Sequence, residues 1–261
     1  MTRAKKARQQ RQRAAAPPPV RSTGAARKAN PKVIAGVAGV IAIAVIVAVV
    51  FAVTGNKSSS STPKNVTTLP DAAAATRLFH GIPQHGNVLG SPSAPATLVQ
   101  YIDLQCPFCR EFETTVMPSV VSRYVRTGKL KVVSRPVAIL GPDSEVARRA
   151  AIVSLQHNRL FDFVQLLYFN QGVENSGWVT NQLLADAFAS TPGINADAAM
   201  AARNTPAVAH IEQQFDRQSN ADNVRGTPTV LIGKSGGKLT EITPGGVPTF
   251  NDIKAAVERA Q

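Results

Sequence analysis

Two thiols three positions apart, in Cys106-Pro107-Phe108-Cys109, are the residues of this 261-residue chain best placed to do chemistry. At that spacing they can close a small disulfide ring. At a helix start the first sulfur also gains partial positive charge and free N–H groups, which favour its thiolate. A thiolate poised this way attacks, and is attacked at, disulfide sulfurs. Pro107 suits the first helical turn, where its missing N–H costs nothing. Cys106 is expected to be the exposed, reactive thiol and Cys109 its more buried partner. They are the only cysteines of the chain, so neither belongs to a larger disulfide framework. The structural alternative is an inert small ring that fixes a turn.

The elements around the pair support the reactive reading. The apolar run from Thr97 reads as a buried strand through Asp103, and helical spacing follows from Pro107 to about Thr127, with a kink expected at Met117-Pro118. Lys129–Arg135 is a second strand, parallel to the first by the βαβ rule. An edge strand is expected around Asn87–Leu89. From residue 143 to about 223, amphipathic helices are separated by turn signals. Thr227–Ile232 and Lys238–Thr243 are strands of an antiparallel pair, and Thr249 caps a last helix, Phe250–Arg259.

The amino-terminal part differs in composition. Of a net charge of +13, ten units come from Lys and Arg in residues 1–32, which hold no acid. Residues 33–53 are 21 apolar residues without charge or proline, about 30 Å of helix at about 1.5 Å per residue, enough to span a bilayer. The expected organisation is a basic cytoplasmic tail (1–32), a transmembrane signal-anchor helix (33–53), a flexible Ser/Thr-rich linker (54–80) and a folded domain (81–261) with a helical insertion at about 141–224. The basic tail is explained by the positive-inside rule, so no nucleic-acid partner is expected. The cell membrane is the expected location, single-pass, with the folded domain extracytoplasmic, where a cysteine pair can cycle without the cytosolic thiol pool reducing it.

With these residues in place, a resemblance enters. Gly81-Ile82-Pro83-Gln84, Leu89-Gly90-Ser91-Pro92, Ala94-Pro95-Ala96-Thr97-Leu98-Val99, Asp103-Leu104-Gln105-Cys106-Pro107-Phe108-Cys109 and Arg225-Gly226-Thr227-Pro228-Thr229 together resemble the membrane-anchored DsbA-like thiol–disulfide oxidoreductases. The resemblance covers about residues 80–261. It implies a thioredoxin-like α/β fold with an inserted helical subdomain. It also implies a cis Pro228 packed against the cysteine pair and a Thr227 that hydrogen-bonds extended substrate chains. Reduced exported proteins are the implied substrates, a quinone-linked membrane protein the reoxidant, and no bound cofactor is needed.

Two departures from that pattern matter. Gln100 stands where many relatives carry a buried acid thought to exchange a proton with the inner cysteine. Asp103 is the other possible relay, although strand alternation puts it on the opposite face from Gln100, and it is equally a candidate loop or cap residue. Phe108 replaces a His of strongly oxidising relatives, so it offers no hydrogen-bond donor; it is expected to shape an apolar docking surface with Phe112, with Pro107 as a further substrate contact, and the potential to be less extreme. His80 and His85 add two possible zinc ligands to the two cysteines. A Gly/Pro segment and a whole strand intervene, so no metal site is expected. Two other functions stay open: an isomerase or reductase of the same fold, compatible with Thr227, and a non-catalytic module that holds extended peptides.

Overall fold

The computed structural model describes residues 63–261. The expected basic tail, membrane span and first part of the linker lie outside the described residues. Among the described residues no helix is long and apolar enough to cross a membrane.

The centre of the molecule is β3 (Ala96–Asp103), buried along its whole length. It pairs in parallel with β4 (Leu130–Val137) and antiparallel with β5 (Thr229–Lys234). Short β1 (Gln84–His85), β2 (Val88–Leu89) and β6 (Thr240–Ile242) complete a six-stranded sheet ordered β1-β2-β4-β3-β5-β6. A central strand with both faces covered is mostly apolar, as Leu98, Val99, Tyr101 and Ile102 are, and its buried polar residues Thr97 and Gln100 are hydrogen-bonded. The strand expected near residues 87–89 is present, but β1 lies outside it, so β2 is not the edge.

The crossover between β3 and β4 is helical and irregular. It begins as α2 (Pro107–Glu111), widens into a π-helical turn (Phe112–Val116), returns as α3 (Met117–Val120) and widens again at Val121–Val125. The expected kink at Pro118 takes this form. A proline without an N–H cannot close the ordinary helical bond, and the wider turn before it absorbs the mismatch, with Met117 N–H bonding to Phe112 O.

Five helices fill the insertion between β4 and β5: α4 (Pro142–Gln156), α5 (Leu160–Phe169), α6 (Asn181–Ala189), α7 (Ala196–Ala202) and α8 (Pro206–Ala221). Their apolar faces join one continuous core with Leu98, Ile102, Phe112 and the last helix, α9 (Phe250–Ala260). A smaller cluster of Val99, Tyr101, Val137 and Leu231 covers the other sheet face.

The linker needs a correction. Residues expected to form a flexible tether up to residue 80 are instead part of the folded body from about residue 65. Helix α1 (Ala72–Phe79) buries Ala72, Ala75 and Phe79, and Phe79 packs on Phe161 of α5 with ring centroids 5.9 Å apart. Ahead of it, Thr67 N–H donates to Asp186 Oδ1 (2.7 Å) and Leu69 N–H to Ser190 Oγ (2.9 Å), laying a strap along α6. Asp71 does not cap α1 with its side chain.

Candidate active site

The start of α2 carries the two cysteines, both free thiols. Cys106 is the N-cap residue in extended conformation, and its sulfur accepts from Cys109 N–H at 3.4 Å. The antiparallel register that pairs Tyr101 with Thr229 brings the preceding Thr227-Pro228 alongside the end of β3. The Thr227–Pro228 peptide bond is cis, as the resemblance implied, and the Cys106 thiol donates to Thr227 O at 3.3 Å.

The environment splits the two sulfurs. The Cys106 pKa is lowered to about 6, chiefly because the Cys109 thiol donates to it. Burial opposes this, and hydrogen bonds from Thr227 and from the Cys109 and Phe108 amides reinforce it. Burial pushes the Cys109 thiol well above its ordinary value, and the hydrogen bond to Cys106 adds to the effect. The expectation of an exposed Cys106 is corrected: only 3% of its surface is accessible. It is the neighbouring Pro107 and Phe108 that face outward, Phe108 at 58% exposure, whereas Phe112, expected beside Phe108 on the docking surface, is fully buried in the core. Thr227, whose carbonyl accepts from the Cys106 thiol, covers the N-cap from the β5 side.

Phe108, Thr227 and Pro228 line one side of a groove of about 470 Å³, which Asn223, Arg225 and Glu241 continue and the 244–247 loop closes. An extended chain fits such a groove, with backbone groups at Thr227 for pairing.

Gln100 and Asp103 do lie on opposite faces. Asp103 is fully buried, and its carboxylate accepts from Gln105 N–H (2.9 Å), Ile139 N–H (2.7 Å), Leu140 N–H (3.1 Å) and Ser144 Oγ (2.7 Å). With four donors it staples the β3–α2 turn to the start of α4, which is the capping alternative rather than a relay. Gln105 joins the staple by donating to Ser144 and exchanging hydrogen bonds with Asn175, while Gln171 Nε2 donates to Leu104 O and Cys106 O. The helical insertion therefore grips the turn that holds the reactive sulfur.

Gln100 Nε2 donates to Glu113 Oε1 (2.5 Å) and to Ser134 Oγ (3.1 Å). Glu113, 3% exposed, is a buried acid that the sequence reading missed. Its burial raises its pKa to about 8, although the bond from Gln100 works against that. Its position four residues beyond Cys109, on the same side of one helix, was the available signal. Among the described residues His80 and His85 are exposed while both cysteines are buried, and no cluster of three metal-ligating side chains forms.

Comparison with known proteins places this geometry. The thioredoxin family model matches residues 84–243. A probable disulfide bond formation protein D of Bacillus anthracis is 24% identical over 174 residues, covering 66% of this chain and 76% of the relative. Among solved structures, oxidised BdbD from Bacillus subtilis is similar with a TM-score of 0.60 at 22% identity, covering 76% of this chain and 98% of that one. Chlamydia trachomatis DsbA is similar with a TM-score of 0.57 at 21% identity, over 66% of this chain and 89% of that one.

Proposed function

This chain belongs to the thioredoxin family, among its DsbA-like thiol–disulfide oxidoreductases, and we propose that it works in the oxidising direction, introducing disulfides into exported proteins. The observation that carries the direction is the acidic Cys106 thiol. Because reduced enzyme is stabilised as its thiolate, the Cys106–Cys109 disulfide is a good electron acceptor.

In the reaction a substrate thiolate attacks Cys106 Sγ, the bond to Cys109 Sγ breaks, and Cys109 leaves as the thiolate. A second substrate thiolate then attacks the substrate sulfur of the mixed disulfide and expels Cys106 as a thiolate. Two electrons have passed to the enzyme and one disulfide to the substrate. Thr227 and Pro228 hold the substrate backbone beside the reacting sulfur, and Phe108 with Pro107 supplies an apolar contact. Residues 33–53 anchor the enzyme in the cell membrane with its catalytic domain outside, and a quinone-linked membrane protein takes the electrons away. Both proposals rest on the apolar run and on the family resemblance.

The test is oxidation of a reduced model protein by the full chain. Cys106→Ser abolishes turnover, and Cys109→Ser accumulates mixed disulfides. Oxidation by both variants at the parent rate would sink the assignment. Thr227 is compatible with the reductase or isomerase reading, and a potential near that of thioredoxin, about −270 mV, rather than near DsbA, about −120 mV, would select it. Binding of reduced substrate without any oxidation would select the peptide-holding module. Reporter fusions at residues 20 and 80 check the anchor: only the second should score as external.

A further inference from the structure

The leaving group of this reaction presents a problem that the active-site turn does not solve. Cys109 has no accessible surface, and each time substrate attacks Cys106 a thiolate is released there. A bare anion in such a place is costly, so a proton has to arrive. Asp103 holds four donors and has none to give. Tyr168, whose hydroxyl donates to Asp103 O at 3.0 Å, is too weak an acid. Burial, and then the charges of Cys109, Glu113, Asp103 and Cys106, hold its proton on.

We propose that Glu113 gives a proton to Cys109 Sγ when the disulfide opens and takes it back when the disulfide re-forms, with Gln100 as the positioning residue for its carboxyl. Glu113 follows Cys109 by four residues, about one turn further along, where α2 widens into the π-helical turn. Both groups lie close enough to Tyr168 for it to feel their charges. Among the described residues Glu113 forms no ion pair, so nothing there compensates its burial as a structural anion. Its carboxyl is fixed instead by the neutral amide of Gln100, which Ser134 orients from β4. Tyr168 on α5 faces the charges of Glu113, of Cys109 and Cys106 at the start of α2, and of Asp103 at the end of β3. The step balances: Cys109–S⁻ and Glu113–COOH become Cys109–SH and Glu113–COO⁻, and the carboxylate regains its proton from solvent. Reoxidation runs the same transfer backwards.

This assignment rests on the oxidoreductase reading but not on its direction. It is therefore tested with a small thiol rather than with a protein substrate. The oxidised full chain is mixed with dithiothreitol from pH 5 to 9.5, and disulfide opening is followed by acid quench, alkylation and mass. In the parent the rate per unit of reductant thiolate falls as pH rises through about 8, where Glu113 loses its proton. Glu113→Gln, close in shape and without that proton, is about 10-fold slower or more at pH 7 and has no inflection there. Moving the acid back to the strand, in the Gln100→Glu/Glu113→Gln double variant, restores most of the rate. A Glu113→Gln variant that keeps the parent's rate overturns the proposal. One that is slower but keeps the inflection overturns it too, marking a packing role. If Glu113→Gln does not fold, judged by loss of the Cys106 alkylation midpoint near pH 6, Glu113→Asp decides. It must retain an inflection, shifted in pH, and a flat profile overturns the proposal.

Discussion

At the scale of single residues the chemistry depends on two groups pushed in opposite directions by their surroundings. Cys106 titrates near 6 where an ordinary thiol stands near 9, so at pH 7 its thiolate stabilises the reduced folded form by about 1.4 kcal/mol, equivalent to about 30 mV. Because this pKa is depressed, the stability it gives is fully present above about pH 9 and lost as pH falls through 6. Glu113 works the other way. Its raised pKa gives stability that is complete below 4.5 and lost as pH rises toward 8. Between pH 6 and 8 the two slopes oppose each other in the reduced protein. We therefore expect its unfolding free energy to be nearly flat there, to rise with pH in Glu113→Gln, and to fall with pH in Cys106→Ser. Urea titrations at pH 5, 6, 7 and 8 read these slopes, and a steep parent slope would contradict them. Alkylation by iodoacetamide should find Cys106 with a midpoint near pH 6 and leave Cys109 silent. The motif was legible at this scale because spacing alone pairs the two cysteines and sets them at a helix start. Glu113 was less so: its spacing from Cys109 was a signal, but nothing local says that its carboxyl meets Gln100 on the strand.

At the scale of elements, the active-site turn is held by the insertion rather than by its own helix. Gly141 shows how tightly. With φ at +142° it sits in a conformation that side chains resist, and an added Cβ would run into Asn175 Oδ1. That same Asn175 is the partner of Gln105 in the staple around Asp103. Gly141→Ala is expected to cost about 2 kcal/mol in urea unfolding, and part of that cost should vanish in an Asn175→Ala background, where only the backbone strain is left. Equal costs in the two backgrounds would show that the contact does not matter. The regular elements were readable from periodicity and caps. Thr249, for example, forms the expected cap and completes it reciprocally with Asp252. Within the insertion, helix α7 shows no face of its own, because its Ala-rich sequence has too little polar contrast.

At the scale of the whole molecule, the domain starts earlier than composition suggests. The strap from residue 65 to 70 uses backbone groups on the polar side chains of α6, and such pairings leave no hydrophobic pattern behind. Asp186→Ala removes the acceptor of both Thr67 N–H and Gln182 Nε2. We expect it to cost about 1 kcal/mol and to open residues 63–70 to protease, while the Cys106 alkylation midpoint stays where it was. Cleavage there that is unchanged by the substitution would show that Asp186 does not hold the strap.

By itself the sequence determined the order of the main strands and helices and the thiol pair at a helix start. These follow from periodicity, from backbone restrictions and from thiolate chemistry, all of which act over a few residues. Only the tertiary structure decided that the reactive sulfur is covered rather than open, that Asp103 is a staple, and that an acid on the helix meets Gln100 on the strand. Burial and hydrogen bonding between distant segments set these, and they depend on which side chains the folded sheet and insertion bring within about 3 Å of one another.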